Sequence, residues 1–121
     1  MGGIPFNLLY VEDDEMQQEL ILVGLGWSRI LDFRVTRATY IKEALAELSK
    51  GEFDAVLLDL SLPDAIGMEG LERILRASPH TPIVVLSGFD DIEVAVAAIR
   101  VGAQDFLVKS SRLSGDQVSR A

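Results

Sequence analysis

Leu8-Leu9-Tyr10-Val11-Glu12-Asp13-Asp14 is a short apolar run that stops on three acids. The same design returns along the chain. Ala55-Val56-Leu57-Leu58 stops at Asp59, Ile83-Val84-Val85-Leu86 at Ser87, and Phe106-Leu107-Val108 at Lys109. Phe33-Arg34-Val35-Thr36 is a weaker fifth run. The three longest runs do not alternate in polarity. That is the mark of strands buried on both faces, as in the middle of a parallel sheet.

Helical periods fill the gaps. Ile41, Ala44, Leu45 and Leu48 share one helix face, as do Ile92, Ala95, Val96 and Ile99, and in shorter form Leu71, Ile74 and Leu75. Each set makes an apolar stripe able to dock on a sheet. Gly51 after Lys50 and Gly102 soon after Arg100 read as helix stops. Asp90 with Glu93 three residues on resembles a capping box. A first helix, Glu15 to Leu25, is weakened at its end by Gly24 and Gly26. The order is β-α-β-α-β-α-β-α-β, with one more helix starting at Asp116-Gln117-Val118.

Strands alternating with helices predict an α/β fold with helices on both faces of a parallel sheet. Five strands fit the doubly wound, flavodoxin-like order 2-1-3-4-5, in which ligands bind beyond the carboxyl ends of the strands. With 121 residues the chain reads as one domain, 1–121. Its last helix is too short to cover a sheet. The sequence reading is therefore of a piece of a longer protein, with an output domain downstream.

Composition narrows the function. Hydrophobic residues are 49% and charged residues 25%, an ordinary globular balance. A net charge of -8 and the lack of any basic run argue against direct nucleic-acid binding and against anionic membrane surfaces. There is no Cys, and the single His80 has no second His to make a metal pair. No signal peptide and no spanning segment is read, so the expected location is cytoplasmic.

In the expected sheet the first and third strands are neighbours, which brings Glu12, Asp13 and Asp59 together. Two such charges ~4 Å apart repel by about 4 kcal/mol at an effective dielectric of about 20. Protons, water or a cation must offset that. Hard oxygen donors suit Mg²⁺, and Lys109 adds a compact positive charge. A carboxylate so placed can act as a nucleophile toward phosphorus, with cations stabilising charge on the phosphoryl oxygens. The Ser87 hydroxyl can hydrogen-bond the product. Singly, each residue is ordinary: an Asp after a strand caps or turns, three acids are a solvated turn, Lys109 is a surface lysine, Ser87-Gly88 a turn. Their joint placement at the ends of four strands is what points to chemistry.

These residues resemble the receiver domains of bacterial response regulators over nearly the whole chain. Leu9-Tyr10-Val11-Glu12-Asp13-Asp14 is similar to the family's acidic pair, and Asp59-Leu60-Ser61-Leu62-Pro63-Asp64 with Gly67 to its phosphorylation loop. Leu86-Ser87-Gly88 resembles the switch hydroxyl segment, and Gly102-Ala103-Gln104-Asp105-Phe106-Leu107-Val108-Lys109 the final strand with its switch aromatic and Lys. The resemblance implies Asp59 as phosphoryl acceptor and Ser87 and Lys109 as its helpers. It implies Mg²⁺, or Mn²⁺ in its place, held by Asp13 and Asp59, by the Ser61 carbonyl, and by Glu12 through water. Ser87 and Phe106 would form the switch, and Asp14 would cap the first helix. A histidine kinase or phosphotransfer protein would be the donor. The fourth helix, fifth strand and fifth helix would be the output face, and a homodimer is admitted. The domain would catalyse its own phosphorylation and dephosphorylation without being an enzyme toward other substrates.

Two positions depart from, or qualify, the pattern. Ser110 stands where the family usually has Pro, which implies either a trans bond with a shifted loop or a strained cis bond, costing ~2.5–4 kcal/mol before a non-proline. Phe89 is bulky where the family tunes hydrolysis, and is expected to shield the acyl phosphate. Rival chemistries fit less well. A phosphatase with an aspartyl-phosphate intermediate wants an Asp two residues after the nucleophile, where Ser61 stands. A flavin site wants a Ser/Thr/Gly-rich loop after the first strand, where three acids stand.

Overall fold

A computed structural model describes residues 3–62, 64–66, 68–88 and 92–109. Five strands, β1 (Ile4–Val11), β2 (Leu31–Ala38), β3 (Ala55–Asp59), β4 (Ile83–Gly88) and β5 (Asp105–Lys109), form one parallel sheet in the order β2-β1-β3-β4-β5. This is the doubly wound order expected. Four helices lie between them: α1 (Glu15–Gly26), α2 (Ile41–Lys50), α3 (Met68–Ala77) and α4 (Ile92–Val101). The expected fifth helix lies outside the described residues, as do Pro63, Gly67, Phe89, the capping Asp90 and the Lys109–Ser110 bond. No helix among the described residues is long and apolar enough to cross a membrane.

Strand alternation splits the core in two. Leu9 and Val11, Val56 and Leu58, and Ile83 and Val85 face α2, α3 and α4 in the larger cluster. Leu8, Tyr10 and Leu57 face the other way, toward Ile21 and Leu25 of α1, where Phe6 and Phe33 meet edge to face at 5.4 Å. Continuous apolar runs are thus the sequence of strands covered twice. β1 begins earlier than its apolar run. Over Ile4–Asn7 it pairs only with β2, while β3 joins from Leu8. Pro5 is tolerated because one side of that stretch carries no ladder.

The helices follow their stripes, with one correction. α2 buries Ile41 and Ala44, and α3 buries Leu71 and Ile74. On α4, Ala95 is buried, but Ile92, Val96 and Ile99 are 42%, 39% and 38% exposed, and Ala98 is buried instead. α4 packs on β4, β5 and α3 through its small residues, which let its backbone come close. Val94 also packs on the larger cluster, while Ile92, Val96, Ile99 and Val101 face outward. α1 runs through Gly24 to Gly26, where the Trp27 and Ser28 amides close the last turn on the Gly24 and Leu25 carbonyls, at 3.2 Å each.

One element was not expected. Between Asp59 and α3, residues Ser61–Leu62 and Ala65–Ile66 pair as a small antiparallel hairpin. Leu60, Leu62 and Ala65 bury it in the larger cluster.

Candidate phosphoacceptor site

Each functional side chain stands at or just past the carboxyl end of a strand. Glu12 and Asp13 follow β1, Asp59 ends β3, Ser87 is the last residue but one of β4, and Lys109 ends β5. Register brings them level, since Val11 pairs with Leu58, Asp59 with Leu86, and Gly88 with Lys109. Carboxylate oxygens of Glu12, Asp13 and Asp59 lie within 4.8 Å of one another. Lys109 Nζ sits 3.1 Å from Asp59 Oδ1 and 3.9 Å from Glu12 Oε2.

Burial sets the electrostatics. Glu12 and Asp59 are 0% and 2% exposed, while Asp13 is open to solvent. Burial foremost, then the hydrogen bond to Asp59 and its charge, push the Glu12 carboxyl up from 4.5 to about 8; Lys109 and the Asp14 backbone amide pull it the other way. Tyr10, on the same face of β1, reaches Glu12 Oε1 through a long 3.4 Å hydrogen bond. Burial first, and Glu12 beside it, hold the Tyr10 phenol protonated far above its usual range. The pocket thus holds more negative charge than Lys109 alone offsets.

The surrounding backbone is fixed in detail. Asp14 caps α1, its Oδ1 accepting from the Met16 and Gln17 amides at 2.9 and 3.2 Å. Buried Gln18 donates from Nε2 to the Glu12 carbonyl at 2.6 Å, and Arg37 donates to Gln18 Oε1 at 3.3 Å. The Ser61 amide donates to Asp59 Oδ1 at 3.0 Å. The Ser87 Oγ is buried and has no hydrogen-bond partner among the described residues. Phe106 is half-buried, packed against the larger core cluster.

Sequence reasoning missed Tyr10 and Gln18 as supports of Glu12. Tyr10 reads as one more apolar strand residue. Gln18 stands out only as a polar residue on the sheet-facing side of an apolar helix.

The response regulator receiver domain family matches residues 8–115 of this chain. The chain belongs to that family. Among curated relatives, this receiver domain is 35% identical over 101 residues to response regulator protein PilR of Pseudomonas aeruginosa, covering 84% of the chain and 22% of PilR. It is 38% identical over 106 residues to swarming motility regulation protein RssB of Serratia marcescens, covering 85% of the chain and 46% of RssB. The chain therefore spans less than half the length of either. Among solved structures it superposes on the receiver domain of NtrX from Brucella abortus with a TM-score of 0.74 at 28% identity, over 93% of this chain and 92% of that one. Receiver domains are the phosphoacceptor switches of two-component signalling, and this chain is a signalling domain of that kind.

The donor set fits a divalent metal ion. All three carboxylates are hard oxygen ligands, two of them buried, and burial first, then Asp59 beside it, raises the Glu12 carboxyl although Lys109 is within reach.

Proposed function

We propose that Asp59 is the phosphoryl acceptor of this receiver domain, with a phosphohistidine on a histidine kinase or phosphotransfer protein as donor. The observation that carries this is the pairing of a buried Asp59 with Lys109 at 3.1 Å inside a cluster of three carboxylates. In the transfer, the P–O bond to an Asp59 oxygen forms as the P–N bond breaks, and the imidazole leaves with the bonding pair. Lys109 stabilises negative charge on the moving phosphoryl oxygens. The Ser87 hydroxyl, buried without a partner among the described residues, is free to donate to the product.

Asp13 and Asp59 would hold Mg²⁺ by their side chains, Ser61 by its carbonyl and Glu12 through water, with Mn²⁺ an accepted substitute. The ion supplies charge neutralisation at the phosphoryl oxygens. As Ser87 engages the phosphoryl group, Phe106 changes its packing, and the face formed by α4 and β5 passes the change to an output domain or partner, or to a second copy. The domain catalyses its own phosphorylation and dephosphorylation, in the cytoplasm.

Incubation with a small phosphodonor and Mg²⁺, read by mass spectrometry, tests the assignment. One phosphoryl adduct is expected on the wild type and none on Asp59→Asn. An adduct that persists in Asp59→Asn overturns it.

A further inference from the structure

The first turn of a helix leaves amides without intrahelical partners, and a side chain usually serves them from the residue just before. In α2 that residue is Tyr40, whose side chain makes no cap bond to the helix. Two acids share the work instead. Glu43 Oε1, within the helix, accepts from the Thr39 and Tyr40 amides at 2.7 and 3.0 Å. The Ile41 and Lys42 amides donate to Asp64 Oδ1 and Oδ2 at 3.0 and 3.3 Å. Asp64 is 23 residues further along than Ile41, in the hairpin that follows Asp59.

The same joint is packed from its apolar side. Ile41 is fully buried, and a Cβ placed on Gly70 of α3 would stand 2.8 Å from its Cδ1 and 3.4 Å from the Ala65 Cβ. α2, the hairpin and α3 therefore meet at one point, with a glycine at the closest approach. At its other end the hairpin is tied to the reacting carboxylate, through the Ser61 amide on Asp59 Oδ1. The hairpin is thus held at two points, where Asp59 accepts from its Ser61 amide and where its own Asp64 accepts from the first turn of α2.

We propose that Asp64 is a positioning residue for phosphoryl transfer, clamping the Ser61–Ile66 hairpin to the first turn of α2 so that the Ser61 carbonyl stands where the metal needs it. This rests on the Asp59 reading above. A carboxylate suits the task because it serves both amides at once and lies at the positive end of the helix dipole. The clamp also makes α2 a mechanical neighbour of the acceptor loop: a shift of Ser61 on metal binding pulls on the amides of Ile41 and Lys42.

Glu43 supplies the control, because it caps the same helix end without touching the hairpin. Mg²⁺ affinity is measured by calorimetry on Asp64→Ala, Asp64→Asn and Glu43→Ala, beside amide hydrogen exchange of the metal-free proteins at Ser61 and Leu62. Asp64→Ala is expected to weaken Mg²⁺ binding by about 10-fold, as loss of an outer-shell partner does, and to speed exchange at Ser61 and Leu62. Asp64→Asn, which keeps one acceptor oxygen, recovers most of the affinity. Glu43→Ala leaves both readouts unchanged. Equal losses in Asp64→Ala and Glu43→Ala, or none in Asp64→Ala, overturn the proposal. If Asp64→Ala does not fold, Asp64→Glu decides: its longer arm keeps the charge but displaces the hairpin, and wild-type affinity in that variant refutes the clamp. A wild type that neither binds Mg²⁺ nor takes a phosphoryl group sinks the Asp59 reading itself. A wild type that does both, beside an indifferent Asp64→Ala, sinks only the clamp.

Discussion

At the scale of single residues the site is a contest between two buried carboxylates and one ammonium. Lys109 lies 3.1 Å from Asp59 and 3.9 Å from Glu12, and is itself only 19% exposed along its side chain. Its charge does two opposed things. In the proposed transfer it would stabilise the phosphoryl oxygens, and it competes with any cation for the same carboxylates. Lys109→Ala should therefore split the two properties. Transfer from a small phosphodonor slows by about 10²-fold, the usual cost of losing one charge-stabilising group. Mg²⁺ binding tightens, because a positive neighbour has gone. A mass-spectrometric time course and a calorimetric titration read the two separately; weaker metal binding beside an unchanged rate would mean that Lys109 merely holds β5 in place.

At the scale of elements, local chemistry explains helix ends well and helix faces less well. Gly102, directly after α4, has φ +144, a region open essentially to glycine, and a Cβ there would stand 3.2 Å from Leu75. Gly24, inside α1, has nothing within 4 Å of an added Cβ. The two should answer oppositely to the same change in urea denaturation. Gly102→Ala loses about 1–3 kcal/mol, and Gly24→Ala gains about 0.5–1 kcal/mol. The sequence carried both positions as helix-end signals without telling them apart, because the difference lies in φ and in Leu75, neither of which is local. The same division runs through the fold. Strands ending on Glu12, Asp59, Ser87 and Lys109 could be read directly, since burial on both faces leaves an unbroken apolar run with polar chemistry at its tip. The parallel sheet followed from the alternation of strands and helices, and its order from the doubly wound pattern that five strands fit. The Ser61–Ile66 hairpin could not be read, because two-residue strands have no period. Nor could the partner of Asp64, which is set by tertiary approach. α4 carries apolar residues on two sides, so its period located a stripe without saying that Ala95 and Ala98, rather than Ile92, Val96 and Ile99, would meet the sheet.

For the molecule as a whole, the cost of assembling the pocket is written into its pH dependence. The chain carries a net charge of -8, so nothing in its overall field favours bringing Glu12, Asp13 and Asp59 together. The folded protein without metal answers by keeping a proton on Glu12, whose pKa rises from 4.5 to about 8. Below pH 4.5 both folded and unfolded chains hold that proton, and burying Glu12 carries no charge penalty. Between 4.5 and 8 the unfolded chain releases it while the folded chain keeps it, so the folded state binds more protons and stability falls as pH rises. Above 8 both are ionised and the loss is complete. A divalent cation pairs with the ionised carboxylates and undoes the loss, so its stabilising effect should grow across that window. Thermal unfolding with and without Mg²⁺ is expected to give a larger difference in Tm at about pH 8 than at about pH 5.5. In Glu12→Gln the metal-free profile should flatten over the same range, because the neutral amide has no proton to lose. A metal-free Tm that rises steadily from about pH 5.5 to about pH 8 would put the titrating group elsewhere and leave the fold without this reason to favour an ion.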